Sequence, residues 1–508
     1  MTAIFDQGPA APCPAPFNLA AHVMGRAETQ PDKIALAILR LSGAEHWSYA
    51  RLHAAIRGTG TGLLRAGLHP GDRVLMRLGN TVEFPIAYLG AIAVGLVPVP
   101  TSSQLTAPEV AGIIKTTAPR LILRAGGIAC PETDIPILDE PALDAMRNLP
   151  PAAYAMGDPD RLAYIIYTSG TSGTPRAVCH AHRAIWARRM MYDGWYGLRS
   201  EDRLCHAGAF NWTFTLGTGL MDPWAMGATA LIPAPEVTPD QLPLLLNRHD
   251  ATIFAAAPGV YRKILKQDMK FDLPRLRHGL AAGEKLSYTI REHWQDATGT
   301  PVYEGYGMSE CSTFISGSPD HPAAPGTLGR PQQGRRVAII GPDGPVKTNE
   351  EGTIAIHKSD PGLMLGYLGA PEATAAKFNG DWFLTGDQGA MDPEGQISYL
   401  GRADDMMNAG GFRVSPLEVE AALTPHPGIT QVAVTDIEVK EDARVIMAFY
   451  TGPEPLDPAM LDAFARERLA GYKAPRGYIH LATLPTGANG KLLRRALRPI
   501  YEDLHGQA

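Results

Sequence analysis

Cysteine is scarce and scattered in this chain of 508 residues: Cys13, Cys130, Cys179, Cys205 and Cys311 form no CxxC pair. That spacing argues against a disulfide framework and a structural zinc site, and it fits a reducing compartment, so a cytoplasmic location is expected. An excess of one charge is also lacking, since 46 Lys and Arg face 52 Asp and Glu for a net charge of −6. Such a balance gives no electrostatic reason for nucleic acid or an anionic membrane as the main partner. The first thirty residues hold Asp6 and several prolines and no basic start before an apolar core, unlike a secretion signal. The least charged stretch, 84–108, is broken by Pro85, Pro98, Pro100 and Pro108. It predicts a buried helix leading into a core strand, not a membrane span.

What the chain has in quantity is glycine and proline, 53 and 44 residues spread over its whole length, which suits many short connections. Short apolar runs such as 251–258 and 336–341 alternate with helix-like stretches such as 242–250. This alternation predicts an α/β fold: a large N-terminal domain of packed mixed sheets flanked by helices. Near Asp404 the pattern changes. A charged GRADD turn precedes VSPLEVEAAL, where Ser415 and Glu418 have capping-box spacing, and two strand-like runs follow. A small α+β domain over 404–508 is expected after a large one over 1–403. The glycine-rich RGTGTGLLRAG at 57–67 has no strand before it and reads as a helix, not a nucleotide turn.

The strongest chemical signal is LAYIIYTSGTSGTPRAV, an apolar strand running into a Ser/Thr/Gly turn. Gly170 and Gly173 let backbone N–H groups approach an anion, while Thr168, Ser169, Thr171, Ser172 and Arg176 add donors and charge. A phosphate suits such a loop, although no GK[ST] follows as in the Walker pattern. Further on, YEGYGMSE puts Tyr306, Ser309 and Glu310 within five residues, a ring, a hydroxyl and a carboxylate that a purine, a phosphate and Mg²⁺ can use in turn. WFLTGDQG places Asp387 just after an expected strand end. GRADD supplies Arg402 and Asp404 ahead of Gly410, Gly411 and Phe412, and LPTGANGK ends on Lys491 before a basic helix.

These motifs, in this order from Thr168 to Lys491, resemble the adenylate-forming superfamily of acyl-CoA synthetases, adenylation domains and luciferases. The resemblance implies an ATP- and Mg²⁺-dependent acid:CoA ligase that makes an acyl-adenylate with loss of pyrophosphate, then passes the acyl group to the CoA thiol with loss of AMP. It implies that Thr168, Ser169, Gly170, Thr171, Ser172, Gly173 and Arg176 hold the β- and γ-phosphates. Ala282, Gly283 and Glu284 would line the adenine on which Tyr306 stacks, Ser309 would touch the α-phosphate, and Glu310 would bind Mg²⁺. Asp387 and Arg402 would hold the ribose, and Lys491 would bridge carboxylate and α-phosphate. Asp404 would be the hinge on which a mobile C-terminal domain swings, bringing Gly410, Gly411 and Phe412 to the thiol tunnel. Two departures stand out. Arg176 replaces the loop's usual lysine with a planar fork, and Met406, Met407 and Asn408 stand where a lysine often follows the hinge aspartates.

For the acid, the resemblance points to 204–220 and to the residues after Gly305, and within the superfamily to the benzoate-CoA ligase branch. His206 would face the carboxylate, with Phe210, Trp212 and Phe214 as an aromatic wall, and Gly307 stands where acetate-specific relatives carry a blocking tryptophan. An aryl or medium-sized acid is therefore expected. No Asp or Glu lies between Leu204 and Met221, so an amino acid's ammonium would lack a counter-charge from this segment. His182, Arg183 and Arg188 are the nearby cations available to a second anionic group. The alternative acceptor is a carrier-protein phosphopantetheine, which would give pyrophosphate exchange without CoA turnover. Oligomeric state is not legible.

Overall fold

The computed structural model describes residues 1–168, 176–267, 269–402, 405–409, 412–440, 443–469, 471, 473–487 and 492–505. It divides into two compact units, Phe5–Val337 with Ile356–Phe383, and Met1–Ile4 with Ala338–Ala355 and Leu384–Ala508. The larger unit is α/β, as the alternation predicted. Its central nine-stranded sheet carries a parallel run of Val302–Met308, His278–Ala282, Ile253–Ala256, Arg203–Ala207, Thr229–Pro233 and Ile34–Arg40. Ile253–Ala256 is buried at every position, the unbroken apolar pattern expected where helices cover both faces of a parallel sheet. The register sets His206 opposite Ala255, Ala256 opposite Ala281 and Ala282 opposite Gly305, so these residues lie along the carboxyl ends of neighbouring strands. Ligands in open α/β sheets bind at that edge.

A four-stranded parallel sheet around Arg73–Arg77 and a three-stranded sheet that includes the hairpin Leu162–Thr168 and Arg176–Ala181 complete the larger unit's layers. The weakly charged stretch becomes the buried helix Glu83–Ala93 and the core strand Val97–Pro100. The glycine-rich stretch lies in the helix Tyr49–Arg65, whose start is capped by the Ser48 hydroxyl accepting from Arg51 N–H at 3.2 Å. Its glycines serve packing. A Cβ on Gly58 would lie 2.6 Å from the Arg147 carbonyl oxygen, and one on Gly90 of the neighbouring helix 2.8 Å from that of Ile56.

In the smaller unit the antiparallel pair Gln431–Lys440 and Ala443–Thr451 is joined by Gly477–His480. Helix Pro416–Leu423 packs its Val419 and Leu423 into the same core as Val434, Ile446 and Ala448. The expected capping box at its start does not form: the Ser415 hydroxyl donates to the Leu400 carbonyl, and Glu418 pairs with Lys473 at 2.5 Å. The basic tail is tied to the unit's core by ion pairs. Arg494 grips Glu420 through both carboxylate oxygens, at 2.8 and 2.6 Å, and Arg498 bonds to Asp436. Among the described residues no helix is long and apolar enough to cross a membrane.

Candidate active site

Three structural devices at the carboxyl edge of the large sheet gather the expected residues. The first links the phosphate hairpin to the YGMSE turn. Thr168 and Arg176 are opposite each other at the hairpin's mouth, and Ser169 to Gly173 lie outside the described residues. The Arg176 guanidinium sits 4.8 Å from the centre of the Tyr367 ring, and the Tyr367 hydroxyl donates to Glu310 Oε1 at 2.7 Å. Tyr367 reaches this place because Gly366–Tyr367 adds as a strand to Arg176–Ala181. Burial first, and then the Glu310 carboxylate, push its hydroxyl well above the usual tyrosine range, so it stays a donor. Sequence reading missed Tyr367: no motif surrounds it, and its strand is two residues long.

The second device is the strand pair Val302–Met308 and Ser312–Ser316, whose register shifts between Tyr306 and Gly307. Such a bulge re-aims side chains next to a site. Tyr306 meets Phe314 edge-on at 5.4 Å. A Cβ at Gly307 would lie 2.1 Å from the Ser312 carbonyl oxygen, so any side chain there forces the backbone apart. The absence of tryptophan at 307 therefore answers first to backbone approach. Ser309 is tied by its carbonyl, which accepts from His180 Nε2 at 2.7 Å, and His180 stacks on Tyr164 at 4.9 Å.

The third is the π-helical segment Thr215–Met221, a form common at functional sites. His206, wholly buried, meets Phe214 edge-on at 4.5 Å, and Phe214 meets Trp212 at 5.3 Å. Trp212 lies against the turn after Ala282: Gly283 takes φ +93°, and a Cβ on it would be 2.5 Å from the indole. Glu284, half-buried, follows in the same turn. The expected acid-pocket residues His206 and Trp212 thus adjoin the expected adenine-lining turn. Phe210 does not join them; it is fully buried against Phe84 at 5.6 Å. Both ring nitrogens of His206 lack a hydrogen-bond partner, and burial lowers its pKa to about 3, so the ring is neutral.

Arg188, legible in sequence only as a nearby cation, lines a cleft with Tyr88, Tyr164, His180, Ser309 and Ser312. The cleft is narrow, with about 20 Å³ of water-accessible space, and is partly open to solvent. Asp222, one residue beyond the segment scanned for acids, is buried and paired with Arg188 at 2.6 Å. It supplies no spare counter-charge for an ammonium group. Arg183 instead holds the Pro361 and Leu363 carbonyls, and His182 accepts from the Leu19 N–H at 3.0 Å.

In the smaller unit Asp387 and Arg402 face each other on paired strands, with Oδ1 to Nη1 at 3.2 Å. Asp387 is not beyond a strand end as expected: Trp382–Met391 runs through it, bulging at the next residue, while Gly386 at φ +84° leaves room for the Arg402 guanidinium. The Asp387 N–H donates to the Thr385 hydroxyl at 3.1 Å, which donates to the Ile354 carbonyl at 2.7 Å. Lys491, Asp404, Gly410 and Gly411 lie outside the described residues, as does the Phe412 side chain.

The hairpin around the Ser/Thr/Gly turn, the bulged aromatic–carboxylate turn and the parallel-sheet edge come together where open α/β sheets bind their ligands. The chain belongs to the AMP-binding enzyme family, whose model matches residues 24–368, with the family's C-terminal domain matching 418–491. It is 28% identical over 488 residues to a 3-hydroxybenzoate–CoA ligase of Aromatoleum sp. (strain CIB), covering 91% of this chain and 93% of that one. It is 30% identical over 490 residues to the benzoate–CoA ligase of Thauera aromatica, covering 90% and 92%. Among solved structures, ATP-bound MatB from Rhodopseudomonas palustris superposes with a TM-score of 0.87 at 26% identity, over 96% of this chain and 99% of that one. The anthranilate CoA ligase AuaEII in complex with anthranoyl-AMP gives 0.86 at 25%, over 96% and 98%.

Proposed function

We propose that this ATP-dependent acid:CoA ligase activates an aromatic or medium-sized carboxylic acid. A carboxylate oxygen attacks the α-phosphorus of ATP and pyrophosphate leaves; the CoA sulfur then attacks the acyl carbon and AMP leaves. The observation that carries the acid site is His206: a wholly buried neutral imidazole with two partnerless nitrogens, set among aromatic rings at the carboxyl edge of the parallel sheet. Such a ring gives a carboxylate one N–H and costs nothing in charge. The similarity to benzoate and hydroxybenzoate ligases supports an aryl acid.

The remaining roles follow the chemistry of each group. Thr168, Ser169, Gly170, Thr171, Ser172, Gly173 and Arg176 hold the leaving pyrophosphate, Ser309 the α-phosphate, and Tyr306 with Ala282, Gly283 and Glu284 the adenine. Asp387 accepts from ribose hydroxyls and Arg402 orients it. Glu310 offers a hard carboxylate oxygen held by Tyr367, which fits Mg²⁺, an ion that takes one or two carboxylates and completes its shell with water and phosphate oxygens. Mg²⁺ there supplies neutralisation of the triphosphate charge. Most of the rate then comes from positioning and charge stabilisation.

Lys491 serves the first step. A domain over 404–508 turns at Asp404 after it, as element-terminal hinges do, bringing Gly410, Gly411 and Phe412 to the thiol path. Five free thiols support a cytoplasmic setting.

The test follows AMP and acyl-CoA mass together across benzoates, phenylacetates, short and medium fatty acids and dicarboxylates. Equal amounts of both products from an aryl acid are expected. Pyrophosphate release with CoA untouched would move the acceptor to a carrier protein. Lys491→Ala should abolish adenylation while sparing thiolysis of a supplied acyl-adenylate, and equal loss of both steps would end the alternating-domain reading.

A further inference from the structure

The strand Arg203–Ala207 carries His206, and at Gly208 the chain leaves the sheet on its way to Trp212 and Phe214. Backbone that leaves a ladder frees polar groups, and each needs a new partner. Two of them find the same side chain. Asn80 Nδ2 donates to the Gly208 carbonyl at 2.8 Å, and Asn80 Oδ1 accepts from the Phe210 N–H at 2.8 Å, across 128 and 130 residues of sequence. A carbonyl can only accept and an N–H only donate, so a single orientation of the amide serves both. Asn80 itself follows the strand Arg73–Arg77 by three residues, so one side chain joins the carboxyl ends of two sheets.

The gripped backbone lies against the acid site. A Cβ on Gly208 would be 3.0 Å from the His206 imidazole and 2.3 Å from the Thr215 hydroxyl oxygen, so this stretch rests directly on the His206 ring. A turn follows, in which the Trp212 N–H donates to the Ala209 carbonyl at 3.0 Å. Within it Phe210 enters the core against Phe84, at the start of the helix Glu83–Ala93, while Trp212 lies against the Gly283 turn and the Phe214 ring. The amide that holds Phe210 and the ring that packs on it both come from one short stretch, 80–84.

We propose that Asn80 is a positioning residue of the acid site. By gripping Gly208 and Phe210 it seats the backbone on His206 and turns Phe210 to the core and Trp212 to the site. The inference rests on the reading above that the segment from His206 holds the carboxylic acid, and it extends that site to a residue far outside the segment.

The experiment measures acid-dependent exchange of pyrophosphate into ATP by the full-length enzyme, with benzoate and octanoate as probes. The variants are Asn80→Ala, Asn80→Asp, Trp212→Leu and Ile86→Val. Asn80→Ala removes both bonds. Asn80→Asp keeps the shape and the bond from the Phe210 N–H but sets a carboxylate oxygen against the Gly208 carbonyl, so it serves if the alanine variant fails to fold. Misplacing a reacting group by about 1 Å can cost about a hundredfold, so each Asn80 variant should raise the apparent KM for the acid at least about tenfold and that for ATP less than about twofold. Trp212→Leu should raise the acid KM in the same way. Ile86 is buried on the same helix and touches the core alone, so Ile86→Val should leave both KM values as they are. An unchanged acid KM in the Asn80 variants, an equal rise for ATP, or as large a rise in Ile86→Val would overturn this inference; the acid-site reading would stand if Trp212→Leu still raised the acid KM. Normal use of the acid by Trp212→Leu, or no exchange with either probe, would overturn both.

Discussion

Two buried arginine–aspartate pairs in the larger unit look alike in burial and differ in what surrounds them. Arg335 holds Asp360 at 2.6 Å with both side chains at 0% exposure, and Arg188 holds Asp222 at 2.6 Å with 7% and 0%. Both reach the strand Ser312–Ser316, the first through the Thr313 carbonyl at 3.1 Å, the second through the Ser312 hydroxyl. Arg335 is enclosed by protein: beside the pair are Cys311 and the Gly362 N–H, which donates to Asp360 at 2.7 Å. Arg188 lines the cleft. A buried ion pair is thus no sign of function by itself, since desolvation and attraction nearly cancel in both. The difference between them is that Arg188 lines a cleft, whereas Arg335 is wholly enclosed.

The comparison breaks most visibly in stability. Arg335→Met leaves the Asp360 carboxylate buried and unpaired, which should cost about 3–5 kcal/mol in denaturant unfolding, while any folded enzyme keeps its ranking of acids. Arg188→Met should cost a similar amount and also change that ranking. If Arg335→Met altered acid selectivity as much as Arg188→Met, the distinction between the two pairs would be lost.

The same contrast explains what the sequence disclosed. Elements whose cause is local were legible: the parallel strands with unbroken apolar runs and the buried helix at 83–93. The stretch after Val178 read as helix-compatible, whereas Arg176–Ala181 is a strand, the second arm of a hairpin with Leu162–Thr168. The grouping of Tyr306, Ser309 and Glu310 was legible because all three fall within five residues. What escaped depends on partners far along the chain. Asp222 is 34 residues from Arg188, and Tyr367 is 57 from Glu310. Ser415 had a local partner in reach, yet a carbonyl brought by another strand won its hydroxyl. Asp387 read as a strand end because Gly386 looks like a turn, whereas its positive φ makes room for Arg402 within a continuing strand. Phe210 shares a short aromatic segment with Trp212 but is turned into the core.

A smaller effect is expected where one hydrogen bond, not an ion pair, is removed. Tyr367→Phe keeps the ring under Arg176 and deletes the donor to Glu310. A hydrogen bond to a charged group contributes roughly 1.5–3 kcal/mol, so ATP- and Mg²⁺-dependent adenylation should fall about tenfold or more with little change in which acid is preferred. An altered acid ranking with normal Mg²⁺ dependence would place Tyr367 on the acid side instead.

The last effect is electrostatic and belongs to His206, a wholly buried ring with no ion pair among the described residues. Burial lowers its pKa to about 3, against 6.5 in an exposed chain. Between those values the unfolded state binds a proton that the folded state refuses. Stability therefore rises with pH across that window, and this contribution is lost as pH falls from 6.5 toward 3. His206→Gln should remove at most about 1.4 kcal/mol per pH unit from the slope of unfolding free energy between pH 4 and 6. His180, His278 and His22, each lowered to about 4 by burial, keep the rest of that slope in place. If the slope is unchanged by His206→Gln, the ring is protonated in the fold. A charged His206 would hold the proposed acid's carboxylate by ion pairing instead of by a neutral N–H.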